Sequence, residues 1–230
     1  MAPAQRTESD TVSVEDLAKA ISGAMPVLDA TDQQIAIATY RLLSAGEPVA
    51  PEAIAREVGI PVARIEAALK SWPGVYRDEA GAVVGFWGLA VAPLDPEYRL
   101  EIDGKTSYAW CALDTLFIPP LLDKSVHVQA TDPVNGETVS LTVDRIGARD
   151  LTPTGAYVSM LVPDGPFGFD VIESFCHKVM FFASEDSGKA WTNGHEGTTL
   201  LTVEEAFEVG SFAPRYVYPD VFGAASREER

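Results

Sequence analysis

A chain of 230 residues, 47% of them hydrophobic, can bury a real core as one large domain or two small ones. Its 17 Lys and Arg stand against 34 Asp and Glu, a formal charge of −17. That surface repels a phosphate backbone, and with no local basic patch it argues against nucleic-acid partners. The longest apolar run, residues 83–94, is broken by Gly85, Gly88 and Pro93 and falls far short of the roughly 20 residues a membrane span needs, so the chain is expected in the cytoplasm without a membrane partner.

Residues 1–14 lack the charged-then-apolar pattern of a signal sequence and read as a flexible leader. From there Asp16–Ala24 reads as a short helix. Thr31 with Gln34 has the spacing of a capping box and opens a second helix through Ile35–Ser44, stopping near Gly46. Pro51–Val58 and Pro61–Ser71 form two helices around a turn at Gly59. Val75–Arg77 and Val83–Trp87 form a hairpin across residues 78–81. Helices, a helix-turn-helix and a hairpin make residues 15–92 a winged-helix-like module. Its second turn-helix carries only Arg64 and Lys70 beside Glu66, too few groups for a major-groove reader. A packing module is the better reading.

Beyond Pro93 the texture changes, and residues 93–230 read as an α+β domain. Arg99–Ile102 suggests a strand with a turn at Asp103-Gly104. Thr106 or Ser107 is a candidate cap for a helix over Tyr108–Phe117, ended by Pro119-Pro120. Ser125–Ala130, Thr138–Val143 and Ala156–Leu161 read as strands, the first two joined at Asn135-Gly136. A strand-like Val179–Phe182, a helix near Glu185–Thr192, a strand at Thr198–Leu201 and a last helix capped by Thr202 and Glu205 complete the chain. The fold class expected is therefore α+β: a winged-helix-like front, then a mixed, mainly antiparallel sheet with flanking helices.

Chemistry concentrates in Tyr108–Leu116. Cys111 and Asp114 lie three apart, so on a helix they share a face. Near a helix start, unpaired N–H groups and the dipole favour a thiolate, and the Cys111 thiol is expected to be lowered. Asp114 sits among Trp110, Ala112, Leu113, Leu116 and Phe117, and apolar surroundings raise a carboxyl. The remaining cysteine, Cys176, follows Ser174-Phe175. Two cysteines are not a disulfide framework, and both are expected as thiols in a reducing compartment. On residues alone, a lone cysteine on an apolar helix such as Cys111 is more often a small core residue than a nucleophile, and Cys176 reads equally as buried filler at a strand entrance.

Tyr-Ala-Trp-Cys-Ala-Leu-Asp-Thr-Leu at 108–116, followed by Pro119, resembles the signature segment of the organomercurial (alkylmercury) lyases. Val139–Val143 resembles the strand that follows in that family. Ser174-Phe175-Cys176 with Phe181–Ser184 is similar to its second cysteine segment, and Trp191 and Thr202–Phe207 to its last helix region. The likeness runs from about Pro26 onward. It implies a winged-helix-like front, and that Cys111 and Cys176 bind mercury while Asp114 handles a proton. Protonolysis of R–Hg⁺ would then give R–H and Hg(II). No resident cofactor is implied, since mercury arrives with the substrate. Trp110 and Phe175 are candidates to wall the organic group, and Hg(II) would pass to a mercuric reductase or to cellular thiols. Two departures stand out: the family's further, structural cysteine is missing near Gln129–Pro133, where Asp132 is the candidate for its place, and His177 follows Cys176 where some members carry a cysteine.

The competing readings are a non-catalytic carrier or sensor of soft metals, for which two cysteines suffice, and a thiol hydrolase pairing Cys111 with His127, His177 or His195. A carrier has no use for Asp114, and no spacing selects a histidine. A zinc site is disfavoured because the cysteines and histidines are scattered.

Overall fold

The computed structural model describes residues 13–222; most of the expected leader lies outside them. Helix α1 (Val14–Ala24) starts where the Ser13 hydroxyl accepts the Asp16 N–H at 3.1 Å. Helix α2 (Ala30–Leu43) is capped by Asp29, which accepts the Asp32 N–H at 2.8 Å. The cap is thus two residues earlier than the Thr31 expectation, because a carboxylate is available there and competes well for the free N–H groups. Helices α3 (Pro51–Val58) and α4 (Val62–Ser71) follow, separated by Gly59.

The hairpin β1 (Val75–Arg77) and β2 (Val83–Phe86) turns straight into a two-residue strand, β3 (Leu89–Ala90), through Trp87-Gly88. Strands β4 (Tyr98–Ile102) and β5 (Lys105–Ala109), helix α5 (Ala112–Leu122), and strands β6 (Val126–Thr131), β7 (Thr138–Val143) and β8 (Ala148–Thr152) come next. They form one eight-stranded sheet in the order β1-β2-β3-β5-β4-β6-β7-β8. A second sheet is β10 (Phe181–Phe182), β9 (Tyr157–Leu161) and β11 (Thr198–Thr202), again with β9 central. Every strand pairing among the described residues is antiparallel. The short helices α6 (Val171–Ser174), α7 (Glu185–Thr192) and α9 (Pro219–Phe222) and the long α8 (Val203–Val217) complete the fold.

Two local expectations fail for identifiable reasons. Thr106 and Ser107 lie in β5, not at a helix start, because residues 105–109 pair with all five residues of β4. Pro119-Pro120 do not stop α5, which runs to Leu122 and ends at Asp123 in the left-handed conformation (φ 53°). The carbonyls of Pro119 and Pro120 are closed off by the N–H groups of Lys124 and Asp123 at 3.1 and 3.2 Å. The helix is apolar on all sides and buried, so packing compensates for the hydrogen bonds proline removes. Gly210 permits the crossing of α8 over it, since a β-carbon there would come within 3.2 Å of the Leu116 backbone.

Helix α1 packs along α8, which is distant from it in the chain. Arg64 of α4 is engaged by Asp32 and Asp29 at 2.5 and 3.7 Å, and Glu66 binds Arg77 of the hairpin through two hydrogen bonds of 2.7 and 2.9 Å. Arg64 and Glu66 of this helix therefore tie the module together. No described helix is long and apolar enough to cross a membrane.

Candidate active site

Cys111 occupies the N-cap position of α5 in extended conformation (φ −152°, ψ 176°), one residue before the first helical turn. Its backbone N–H donates to the Asp114 carboxylate at 2.9 Å, and its sulfur receives the Asp114 backbone N–H in return. This reciprocal pair is a capping box with a thiol in the place of the usual hydroxyl. The spacing of three that marked the two residues is thus realised as a cap. Their side chains face each other because both serve the same orphan helix end.

Cys176 opens a single 3-10 turn (Cys176–Lys178) after α6. That turn is held against α5 by the Ala112 N–H, which donates to the Val179 carbonyl at 3.0 Å. Ser159 of β9 pins it from the other side: its hydroxyl donates to the Lys178 carbonyl and accepts the Met180 N–H, both at 2.9 Å. The expected strand over 179–182 shortens to Phe181–Phe182, since Val179 and Met180 are used in these cross-links. Cysteines 111 and 176 are brought together by backbone hydrogen bonds to the segments on which they ride.

The result is a compact trio. The sulfurs of Cys111 and Cys176 and a carboxylate oxygen of Asp114 all lie within 4.8 Å of one another, and all three residues are buried. Both cysteines are free thiols. Among the described residues this is the one cluster of three Cys, His, Asp or Glu side chains close enough to share a metal. None of the histidines joins it. His195 stacks on Trp191 at 3.6 Å, His127 sits on β6, and His177 lines a separate groove together with Tyr76.

Burial governs the ionisation of the trio. Desolvation raises the Asp114 carboxyl from 3.8 to about 7, against the lowering effect of its hydrogen bonds to Cys111 and the nearby Trp110 N–H. Desolvation also drives the Cys111 thiol well above its ordinary range, reinforced by its hydrogen bond to Cys176 and the charge of Asp114. This overturns the expected lowering at the helix start: loss of water outweighs the dipole when the sulfur is fully enclosed. For Cys176 the hydrogen bond from Cys111 lowers the thiol, but desolvation and the Asp114 charge leave it raised overall. Both thiols are thus raised, each coupled to the other and to Asp114.

Cys176 and Asp114 open into an apolar cavity of about 60 Å³. Trp110 and Phe175 both line it, as do Trp87, Phe167 and Tyr218. Phe167 packs on Phe175 with ring centres 5.0 Å apart, and its N–H donates to the Ala24 carbonyl at the end of α1 at 2.8 Å. Ile21 of α1 and Met25, just past its end, close the same space. Sequence reading missed this outer wall. The one signal for it was a glycine inside an apolar run, Phe86-Trp87-Gly88-Leu89, where a glycine marks a close backbone approach.

Asp132 is fully buried away from this trio. Its carboxylate accepts the N–H groups of Val134 and Ala183, each at 2.8 Å, and the Ser187 hydroxyl at 2.6 Å. It locks the β6–β7 turn to the segment that follows Phe182.

Comparison with known proteins bears on what this arrangement is for. The family model described as alkylmercury lyase matches residues 93–213, and that of the helix-turn-helix domain of alkylmercury lyase matches residues 16–87. The alkylmercury lyase of Staphylococcus epidermidis (strain ATCC 12228 / FDA PCI 1200) is 41% identical over 170 residues, covering 74% of this chain and 76% of that protein. Those of Streptomyces lividans and Pseudomonas putida are 36% and 35% identical, over 74% and 76% of this chain and 77% and 80% of theirs. Among solved structures, the mercury-bound form of MerB2 has the same fold, with a TM-score of 0.70 at 19% identity, covering 90% of this chain and 100% of that one.

Proposed function

The chain belongs to the alkylmercury lyase family, and from that premise we propose that Cys111, Cys176 and Asp114 cleave the carbon–mercury bond of R–Hg⁺ by protonolysis. The observation that carries this reading is the convergence of two sulfurs and one carboxylate within 4.8 Å in a buried site. Mercury(II) is soft and selects thiolates over nitrogen and oxygen ligands. A carboxyl raised to about 7 can both take and give a proton near neutral pH.

Cys176 lines the cavity, whereas Cys111 lies behind it at the helix cap, so Cys176 meets the substrate first. Its thiolate displaces the exchangeable ligand on mercury and forms a sulfur–mercury bond, its proton passing to that ligand or to solvent. The Asp114 carboxylate then takes the proton of Cys111, and the Cys111 thiolate adds to mercury. Two sulfur donors push electron density toward the carbon. The carbon–mercury bond breaks with its electron pair on carbon, which takes the proton from Asp114 and leaves as R–H. Mercury stays in the +2 state on two sulfurs, and Asp114 returns to a carboxylate. Trp110 and Phe175 enclose the organic group and keep bulk water from the proton. The mercury is substrate and product, with no resident cofactor required, and the retained Hg(II) passes to small cellular thiols or to a mercuric reductase of a reducing cytoplasm.

The test is benzene release from phenylmercury. Cys111→Ser and Cys176→Ser should each abolish it, while Asp114→Asn should still bind phenylmercury in equimolar amount yet release little benzene. Capture without benzene release by the parent protein would instead assign a carrier of soft metals.

A further inference from the structure

Phe86 pairs with Leu89, so the β2–β3 connection is the two residues Trp87 and Gly88 alone. Both have positive φ, 35° and 94°, the pattern of a tight hairpin turn that favours Asn or Gly at both positions. A bulky tryptophan in that conformation is disfavoured and persists only where its surroundings over-determine it. They do. The Trp87 N–H donates to the Gly74 carbonyl at 2.9 Å, and the Trp87 carbonyl accepts the Tyr40 hydroxyl at 2.7 Å. Tyr40 is fully buried on α2, and its hydroxyl is also in hydrogen-bond contact with Tyr218.

The turn bears directly on the acid of the trio. A β-carbon on Gly88 would lie 2.3 Å from one Asp114 carboxylate oxygen and 2.5 Å from its carbon. The carboxyl therefore occupies the space left by the missing side chain. The Gly88 carbonyl accepts the Trp110 N–H at 3.0 Å, next to the Cys111 N–H that Asp114 itself holds. We propose that the Trp87–Gly88 turn, clamped by the Tyr40 hydroxyl, is a positioning element that fixes the Asp114 carboxyl between the two cysteine sulfurs. The winged-helix-like front of the chain would then serve catalysis by walling the proton relay. Tyr40 touches no reacting atom in this scheme and Gly88 meets only the Asp114 carboxyl; both act by positioning that group, and the inference rests on the proton-relay reading above.

Two variants of the full chain test it, Tyr40→Phe and Gly88→Ala, with phenylmercury as the probe. Each should bind phenylmercury in equimolar amount, Tyr40→Phe at the parental rate, yet release benzene in a single turnover about ten- to a hundredfold more slowly, as small misplacements of a reacting group do. In Tyr40→Phe the backbone amide proton resonances of Trp110 and Cys111 should shift, while amides of β7 and β8 stay in place. Should Gly88→Ala fail to fold, Tyr40→Phe decides alone. Parental benzene release in Tyr40→Phe overturns the proposal, as does a slower release matched by an equal loss of phenylmercury capture, which marks a general structural effect. Asp114→Asn is the control: parental release in that variant overturns the relay itself, and so is distinguishable from failure of the clamp alone.

Discussion

A buried carboxyl raised to about 7 must leave a mark on stability, and Asp114→Asn should erase it. In the unfolded chain the group titrates near 3.8, in the folded chain near 7. Between those values the folded state retains a proton that the unfolded state has lost. Stability contributed by the protonated carboxyl is therefore complete below about pH 4, declines as pH rises toward 7, and levels off above it. Each pKa unit is worth about 1.4 kcal/mol, so the whole decline is on the order of 4 kcal/mol. Asparagine has the same shape and does not titrate. Urea unfolding of both proteins with thiols kept reduced, from about pH 4 to pH 8, should show the variant gaining that amount relative to the parent. Any fixed cost of the substitution cancels in the comparison. Parallel curves across this range would refute the reasoning, because they would mean that the carboxylate ionises in place without a desolvation penalty.

Asp132→Ala should destabilise the fold by about 3 kcal/mol in urea, since two buried donors and one part-buried donor lose their acceptor, with phenylmercury still cleaved below the transition. Phe167→Ala should enlarge a cavity of about 60 Å³ and raise the rate on phenylmercury relative to methylmercury by roughly tenfold; an unchanged ratio would remove Phe167 from the substrate wall. Glu66→Ala breaks a half-exposed pair with Arg77 and should cost under about 1 kcal/mol in thermal or urea unfolding.

What was legible in the sequence were features enforced locally. The helices of the front module announced themselves through their period and through Gly59, and the spacing of Cys111 and Asp114 pointed to two of the three clustered side chains. Apolar neighbours correctly signalled the raised Asp114 carboxyl. What composition and spacing could not supply was the approach of Cys176, 65 positions away, which depends on bonds from the Ala112 N–H and the Ser159 hydroxyl; only the family resemblance tied it to the pair. The direction of the Cys111 shift was misjudged because the dipole is a local property while enclosure is a tertiary one. Thr106 and Ser107 resembled a cap for the same reason: their strand is imposed by β4. The outer wall of Trp87, Phe167 and Tyr218 joins three distant segments, and no local pattern could have assembled it.

Leu89 and Ala90 pair with Ala109 and Tyr108, and that two-rung ladder stitches the front hairpin into the sheet of the remaining chain. Severing the backbone after residue 92 would leave β5 with a bare row of N–H and C=O groups, open to pairing with any stray strand. Each fragment would then be sticky and catalytically mute, and mixing the two would restore activity only if that seam closed again. The intact molecule should accordingly melt as one cooperative body rather than shed its front piece first.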